Sequence, residues 1–189
     1  MKADFLLAGV GGQGVVLTGD ILAGVGLRLG LDVKKADVHG LAQRGGAVEA
    51  CVRWGERVHS PLIEKADFLL GLEPLEGARC APRLRSGGIA LVSRHRLPPP
   101  ALEEKDYPDD EQIAHRFEGK VLYWVEANSV AAELGRPTLA GTVLLGSLAS
   151  LLAVEDAVWL AVLEEKVPPR HRDANLQAFR RGKGLEGFQ

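Results

Sequence analysis

The chain has 189 residues, of which 46% are hydrophobic and 25% are charged, and its formal net charge is −2. This length and composition predict a single globular domain over residues 1–189 with a full apolar core. The small net charge gives no reason to expect nucleic-acid binding, and two cysteines are too few for a disulfide framework or an all-cysteine metal cluster.

A strand, a glycine-rich loop and a helix are predicted at the start of the chain. Residues 5–8 form an apolar run typical of a buried strand, and apolar residues recur at helical spacing from Val15 to about Gly30. Between them, G-V-G-G-Q-G matches the G-x-G-x-x-G pattern of dinucleotide-binding loops. The candidate ligand-contacting residues of this loop are Gly9, Gly11, Gly12, Gln13 and Gly14. Such a loop offers N–H groups to an anion, although a tight turn that only packs a helix on a sheet also needs glycine.

A second strand over residues 31–38 is followed by a second glycine-containing segment. Asp32 and Asp37 stand near the position at which nicotinamide enzymes hold the ribose with an acidic side chain. Residues 39–46 read H-G-L-A-Q-R-G-G, a composition typical of a loop. This loop is either a connecting turn or a rim beside the first glycine loop, in which His39 and Arg44 offer donors to an anion.

Residues 47–54 alternate between apolar and polar side chains, which predicts a half-buried strand. Gly55 begins a turn, and a return strand is predicted to start at Val58. Such a hairpin predicts some antiparallel pairing in the sheet.

The remaining elements continue an alternating pattern. Further strands are predicted at residues 66–72, 89–92 and 121–125, and helices at residues 73–85, 130–134, 155–165 and 170–182. Asn128 and Ser129 are the candidate caps of the helix at 130–134. Residues 97–118, where three prolines precede a run of charges, are predicted to form a mobile excursion with a short helix near 112–117.

The helix predicted from about Thr138 to Leu152 carries no charge. It is too short and too often interrupted by polar residues to suggest a membrane span. Because it is apolar on nearly all sides, it must be covered by the last helices or by another chain. The fold class predicted from all these elements is α/β, a Rossmann-like doubly wound and mostly parallel sheet with an antiparallel hairpin and C-terminal helices.

Four segments together resemble the gamma-type module of 2-oxoacid:ferredoxin oxidoreductases. They are the glycine loop at 9–15, the loop at 39–46, the T-V-L-L-G segment at 142–146 and the D-A-N-L-Q-A-F segment at 173–179. The second loop, with its histidine and its A-Q-R-G-G, is most similar to the small (beta) subunit of the indolepyruvate branch.

The resemblance implies a subunit that is inactive alone in an enzyme that decarboxylates a 2-oxo acid oxidatively, forms an acyl-CoA and reduces ferredoxin. Thiamine diphosphate, magnesium and iron–sulfur clusters are then expected on a large partner subunit, and this chain supplies neither a catalytic residue nor a metal ligand. The resemblance places cofactor or CoA contacts on the two loops, at Gly9, Gly11, Gly12, Gln13, Gly14, His39, Gln43, Arg44, Gly45 and Gly46. It also implies contact with ferredoxin through the complex. Two cysteines fit a reducing cytoplasm, so the protein is expected to be cytoplasmic, with neither nucleic acid nor a membrane as a partner. Pairing of two copies through the uncharged helix or its neighbours is a further expectation.

Two other functions are compatible with the first loop. One is a free-standing NAD(P)-binding oxidoreductase that uses Gly9 to Gly14 together with Asp37, and the other is a nucleotide-binding scaffold. The sequence shows no downstream Tyr/Lys or Ser/His pair at a recognised spacing to serve the first of these.

Overall fold

A computed structural model describes residues 1–39, 46–99 and 102–185. Within them, six strands form one sheet in the order β2-β3-β1-β4-β5-β6. The strands are β1 (Ala3–Val10), β2 (Asp32–His39), β3 (Ala47–Gly55), β4 (Ala66–Gly71), β5 (Leu84–Ser93) and β6 (Val121–Val125). The helices are α1 (Val15–Arg28), α2 (Pro74–Cys80), α3 (Asp110–His115), α4 (Ala127–Glu133), α5 (Ala140–Leu151), α6 (Asp156–Lys166) and α7 (Arg172–Lys183).

Among these six strands, only β3 is antiparallel to the others. It pairs antiparallel with β1 on one side and with β2 on the other, whereas β1, β4, β5 and β6 pair in parallel. The predicted mixed sheet is therefore confirmed, but the predicted return strand at Val58 is wrong. The partner of β3 in the hairpin is the preceding strand β2, because the apolar alternation identifies a strand without identifying its neighbour.

Alternate residues of the central strands face two separate cores. Phe5 and Leu7 of β1 face the core that holds α1, α4, α5, α6 and α7, whereas Leu6 and Ala8 face the core that holds α2 and α3. Helices thus cover both faces of the sheet, as the doubly wound prediction requires.

The largest differences between the predicted and the observed boundaries lie after α2 and at the start of α4. The helix predicted over 73–85 ends at Cys80 and passes through a 3-10 turn, Ala81–Arg83, into a strand that begins at Leu84. Helix α4 begins at Ala127, so the predicted caps Asn128 and Ser129 lie inside it, and Asn128 instead accepts a hydrogen bond from the Ser93 hydroxyl (2.8 Å).

The segment predicted to be a mobile excursion contributes buried side chains to the fold. Its short helix is α3, and Ile113 and Phe117 are buried in the second core beside Leu69 and Ala90. Its mobility stays a prediction. The contacts of Ile113 and Phe117 attach at least the second half of the segment to the sheet.

The uncharged helix α5 is covered by the last helices of the same chain. Every residue of α5 from Ala140 to Ala149 is buried. Helix α7 lies against it, with a hydrogen bond from the Thr142 hydroxyl to the Asn175 side chain (2.7 Å) and another from Ser147 to the Gly182 carbonyl (3.0 Å). Among the helices in the described residues, none is long and apolar enough to cross a membrane.

The crossing of α5 and α7 depends on glycine. A Cβ at Gly182 would overlap the Val143 carbonyl, and a Cβ at Gly146 would overlap the Phe179 carbonyl. Because both obstacles are backbone atoms, the two helices would have to move apart to admit a methyl group.

We therefore predict that Gly182→Ala lowers the free energy of unfolding by about 1–3 kcal/mol, the usual cost of overpacking a well-filled contact. Urea denaturation followed by circular dichroism measures the change. Gly184→Ala is the matched control, since the nearest atom to its added Cβ is 3.5 Å away, and its cost should stay within about 0.5 kcal/mol. Equal stability of the two variants would show that the close crossing does not limit the packing.

Candidate functional site

The carboxyl ends of the parallel strands define one edge of the sheet, and two helices leave this edge in opposite directions. Helix α1 follows β1 and lies on one face, whereas α2 follows the neighbouring strand β4 and lies on the other. Ligands of open α/β sheets bind at such a switch point, where the helices diverge and leave a crevice. The glycine loop stands there, between Val10 and Val15.

The loop needs glycine for its backbone conformation at two positions. Gly12 has φ of 99° and Gly14 has φ of 87°, both in the left-handed region. A Cβ at Gly12 would have no atom within 4 Å, so the space above it is open. Gly14 is the N-cap of α1, and its carbonyl accepts the Thr18 hydroxyl (2.9 Å). The first turn of α1 therefore presents N–H groups with no capping side chain and no acidic residue to compete with an anion.

The side chain of Gln13 holds this loop in place through two hydrogen bonds. Its side-chain oxygen accepts the Val10 N–H (2.7 Å), and its side-chain nitrogen donates to the Leu72 carbonyl (3.2 Å) just beyond β4. Gly9 packs against the side chains of Gln13 and Val15, and a Cβ at Gly9 would collide with both. Gln13 thus shapes the loop through its amide, and direct contact of Gln13 with a ligand stays a prediction.

The second loop returns to the sheet beside the first. The Gly11 N–H donates to the Gly46 carbonyl (2.9 Å), and Val10 pairs with Ala47 in the sheet. His39 ends β2 opposite Val48, at the same edge. The predicted site residues Gln43, Arg44 and Gly45 lie outside the described residues. The hydrogen bond between Gly11 and Gly46 is therefore the contact between the two loops within the described residues.

Strand β3 separates Asp37 from the glycine loop. In the nicotinamide enzymes the acidic residue lies on the strand next to β1, but here β3 occupies that place and puts β2 two strand spacings, about 9–10 Å, from β1. The Asp37 carboxylate also accepts the Lys35 ammonium (2.6 Å), which bonds to Asp20 as well (2.9 Å). Burial alone would lower the pKa of Lys35, but its bonds to these two carboxylates raise it, so Lys35 stays charged at neutral pH.

A buried carboxylate at the switch point was not predicted. Glu73, the residue that caps α2, is 1% exposed and accepts the Glu76 N–H (2.8 Å), the Leu97 N–H (3.3 Å) and the Tyr107 hydroxyl. Burial beside Glu73 raises the pKa of Tyr107, which remains a hydroxyl donor. The sequence showed only an acidic residue before a proline, a common helix start, and its partner Tyr107 lies far along the chain.

A cleft of about 460 Å³, lined largely by polar residues, lies at the ends of β5 and β6. Ser93, His95 and Asn128 are among the residues that line it. Pro137 also lines it, and the adjoining Thr138 carbonyl lies 3.7 Å from where a Gly14 Cβ would stand. Polar groups thus lie along the carboxyl edge both at the glycine loop and at the ends of β5 and β6.

The two cysteines are unsuited to nucleophilic catalysis. Burial raises the pKa of Cys80 to about 12 and also raises that of Cys51. Both thiols are therefore protonated near neutral pH. In the part of the chain that the structure describes, no three His, Cys, Asp or Glu side chains are grouped as metal ligands.

Residues 4–185 match the family described as pyruvate ferredoxin/flavodoxin oxidoreductase. The chain belongs to this family. It is 32% identical to indolepyruvate oxidoreductase subunit IorB of Thermococcus kodakarensis, over 95% of this chain and 93% of that protein. It is 27% identical to 2-oxoglutarate synthase subunit KorC of Methanothermobacter marburgensis, over 98% and 97% of the two chains.

Solved structures of similar proteins have the same fold. A keto/oxoacid ferredoxin oxidoreductase gamma subunit from Geobacter sulfurreducens aligns with a TM-score of 0.73 at 23% identity, covering 95% of each chain. The 2-oxoglutarate:ferredoxin oxidoreductase from Magnetococcus marinus, solved with 2-oxoglutarate, coenzyme A and succinyl-CoA bound, aligns with a TM-score of 0.77 at 22% identity. That alignment covers 96% of this chain and 30% of the other, so this family fold also occurs as one part of a longer chain.

We predict that Gln13→Glu destabilises this family member by about 1–3 kcal/mol, since the carboxylate has no N–H for the Leu72 carbonyl and leaves it unpaired. Thermal unfolding measures the loss. Gln112→Glu is the control. The Gln112 side chain accepts the Asp109 N–H (3.0 Å) in a capping box, and glutamate serves equally well at that position. If Gln13→Glu were as stable as Gln112→Glu, the loop would not depend on the amide brace.

Proposed function

We propose that this chain is the small, non-cofactor-bearing subunit of a 2-oxoacid:ferredoxin oxidoreductase whose substrate is indolepyruvate or a related arylpyruvate. The observation that carries this proposal is the 32% identity to subunit IorB along almost the whole of both chains. A second IorB, from Pyrococcus horikoshii, is also 32% identical, whereas the KorC relatives reach at most 27%. The arylpyruvate branch is therefore favoured over the 2-oxoglutarate branch.

The proposed role of the chain is to complete a site at a subunit boundary in a cytoplasmic complex. The complete enzyme decarboxylates the oxo acid, forms the acyl-CoA and reduces ferredoxin. Thiamine diphosphate, magnesium and iron–sulfur clusters supply this chemistry when bound to the large partner subunit. Two buried cysteines cannot provide the four ligands of a cluster, which supports the division of labour between the subunits.

Coenzyme A is the ligand that we propose for the glycine loop. Its diphosphate requires several N–H donors and a close approach of the backbone. Gly11 and Gly12 are exposed, the space over Gly12 is open, and the first turn of α1 carries no acidic residue. The polar cleft beside β5 and β6 leaves room for the rest of an elongated ligand along the same edge.

A free-standing NAD(P)-binding oxidoreductase or a nucleotide-binding scaffold would use the same loop differently. The position of β3 between β1 and β2 argues against a ribose contact from Asp37. Titration of the purified chain with NADH and with CoA separates the three functions. Submicromolar NADH binding with turnover would favour the oxidoreductase, whereas ligand binding without a co-purifying subunit would favour the scaffold.

We predict that the chain purified alone is colourless and does not oxidise indolepyruvate, even with thiamine diphosphate and magnesium supplied. Co-expression with the large subunit encoded by the same organism should yield a brown complex that reduces ferredoxin. The large subunit purified alone is the control, and it should be brown but much less active than the complex. Turnover by the small chain alone, or failure of the two chains to associate, would overturn the proposal.

Arg44 gives a residue-level prediction. Its guanidinium can form two parallel hydrogen bonds with a carboxylate or phosphate, a geometry that lysine cannot reproduce. If Arg44 contacts a ligand or the partner subunit, Arg44→Lys should reduce turnover or assembly by the equivalent of about 1.5–3 kcal/mol. The thermal stability of the isolated chain should change by no more than about 0.5 kcal/mol.

Activity of the reconstituted complex and melting of the isolated Arg44→Lys chain are measured side by side. Unchanged activity at unchanged stability would remove Arg44 from the site. A large loss of stability would make it a structural arginine instead.

A further inference from the structure

Two arginines converge on one histidine where α7 begins. The guanidinium of Arg136 lies 2.8 Å from Nδ1 of His171, and Nε of Arg170 donates to Nε2 of the same ring at 3.1 Å. A neutral imidazole has a single acceptor nitrogen, so His171 cannot accept a full hydrogen bond from each guanidinium. These three side chains, which we call the cationic cluster, therefore hold N–H donors that need a further acceptor.

The cationic cluster lacks the acidic partner that most arginines of this protein have. Within residues 1–39, 46–99 and 102–185, no carboxylate forms an ion pair with Arg136 or Arg170, and Asp173 in the first turn of α7 forms no ion pair either. The arginines that do contact a carboxylate are Arg28, Arg53, Arg79, Arg83, Arg85, Arg94, Arg96 and Arg181. The charges of the two cluster arginines are thus not balanced from within the described chain.

A buried asparagine brings the cationic cluster together. Asn175 is 6% exposed, and its side-chain nitrogen donates to the His171 carbonyl (2.9 Å) while its side-chain oxygen accepts the Thr142 hydroxyl of α5 (2.7 Å). Arg136 immediately precedes the 3-10 turn that leads into α5, and His171 immediately precedes α7. The contact between α5 and α7 therefore places the two arginines side by side by folding alone, which lowers the ordering cost of binding.

The cationic cluster adjoins the carboxyl edge of the sheet and is open to solvent. Arg136 and Arg170 are both exposed. Pro137 lines the cleft at the ends of β5 and β6, and the Thr138 carbonyl lies close to Gly14 in the glycine loop. Helices α5 and α7 both begin here without a side-chain cap, so the positive ends of their dipoles add to the potential of the arginines.

We propose that the cationic cluster binds the phosphate group of a phosphomonoester. Such a group carries close to two negative charges near neutral pH, which balances two guanidiniums, whereas a single carboxylate balances one. Its three terminal oxygens also accept N–H donors from several directions, whereas a carboxylate offers two oxygens in one plane. The inference rests on the contacts of three side chains and does not depend on the proposed function.

Titration of the full chain with inorganic phosphate at low ionic strength, followed by ¹⁵N NMR, tests the site, because salt screens exposed charges. We expect saturable shifts of the signals of residues 136–139 and 170–173, with a Kd of about 1–10 mM. Arg170→Gln should weaken this binding about tenfold, since a charged hydrogen-bond donor is lost. Arg136→Gln should have the same effect.

Arg116→Gln is the matched control. Arg116 is likewise exposed and forms no ion pair among the described residues, and it lies at the end of α3 on the other face of the sheet. Its substitution should leave the Kd for phosphate unchanged. The absence of saturable shifts, shifts confined to the glycine loop, or equal affinity of the Arg170 and Arg116 variants would overturn the proposal.

Coenzyme A and dephospho-coenzyme A distinguish two sources of the phosphate. If the 3′-phosphate of coenzyme A occupies the cationic cluster, coenzyme A should bind about tenfold more tightly than dephospho-coenzyme A, and Arg170→Gln should remove the difference. Equal binding of the two, with inorganic phosphate still held by the cluster, would assign the cluster to a separate phosphate-bearing molecule. Failure of both to bind would count against the proposed coenzyme A contact alone.

An acidic segment of the large subunit is the competing occupant. If inorganic phosphate did not bind and Arg170→Gln abolished co-purification with the large subunit, the cationic cluster would contact carboxylates of that subunit, and the proposal would fail.

Discussion

The antiparallel strand β3 beside β1 determines the arrangement of the site. In a sheet with β2 next to β1, the acidic end of β2 would reach the glycine loop, as in nicotinamide enzymes. Here β3 takes that position, and the pairing of Val10 with Ala47 brings the chain entering β3 directly against the loop. The Gly11 N–H bonds to the Gly46 carbonyl as a continuation of this pairing. The strand order thus removes a ribose contact from Asp37 and places Gly46 beside the glycine loop.

The sequence predicted most of the fold because its strands and helices differ clearly in apolar periodicity. Residues 47–54 formed the expected strand, and the uncharged segment after Thr138 formed the expected helix, which is covered on nearly all sides. The predicted hairpin partner of β3 was wrong, since the alternation of apolar residues identifies the buried face of a strand and not its neighbour in the sheet. The cap of α4 was also wrong. Asn128 is a good capping residue in isolation, but Ser93 on β5 engages its side chain inside the helix.

The candidate site was predicted less completely, because a motif reveals which residues form a loop and not what each one does. Gln13 stood in the glycine pattern as a ligand contact, but the structure shows its amide bridging Val10 and Leu72. Glu73 and Tyr107 lie 34 positions apart in the sequence, and only the packing of the 97–118 segment brings them together. Buried polar pairs of this kind depend on tertiary contacts that no local pattern contains.

The hydrogen bonds around the glycine loop also bear on the proposal that it binds a ligand. Gly11 bonds to Gly46 at the start of β3, and Gln13 bonds to Leu72 at the end of β4. These two strands flank β1, so the loop is held from both sides. Six consecutive residues with four glycines would otherwise lose much conformational entropy on binding. Because these bonds form on folding, part of that entropy is already lost in the free protein, and the ligand need not supply it. The glycines can therefore provide close approach and left-handed conformations without making the loop flexible, which suits the proposed role of a preformed surface at a subunit boundary.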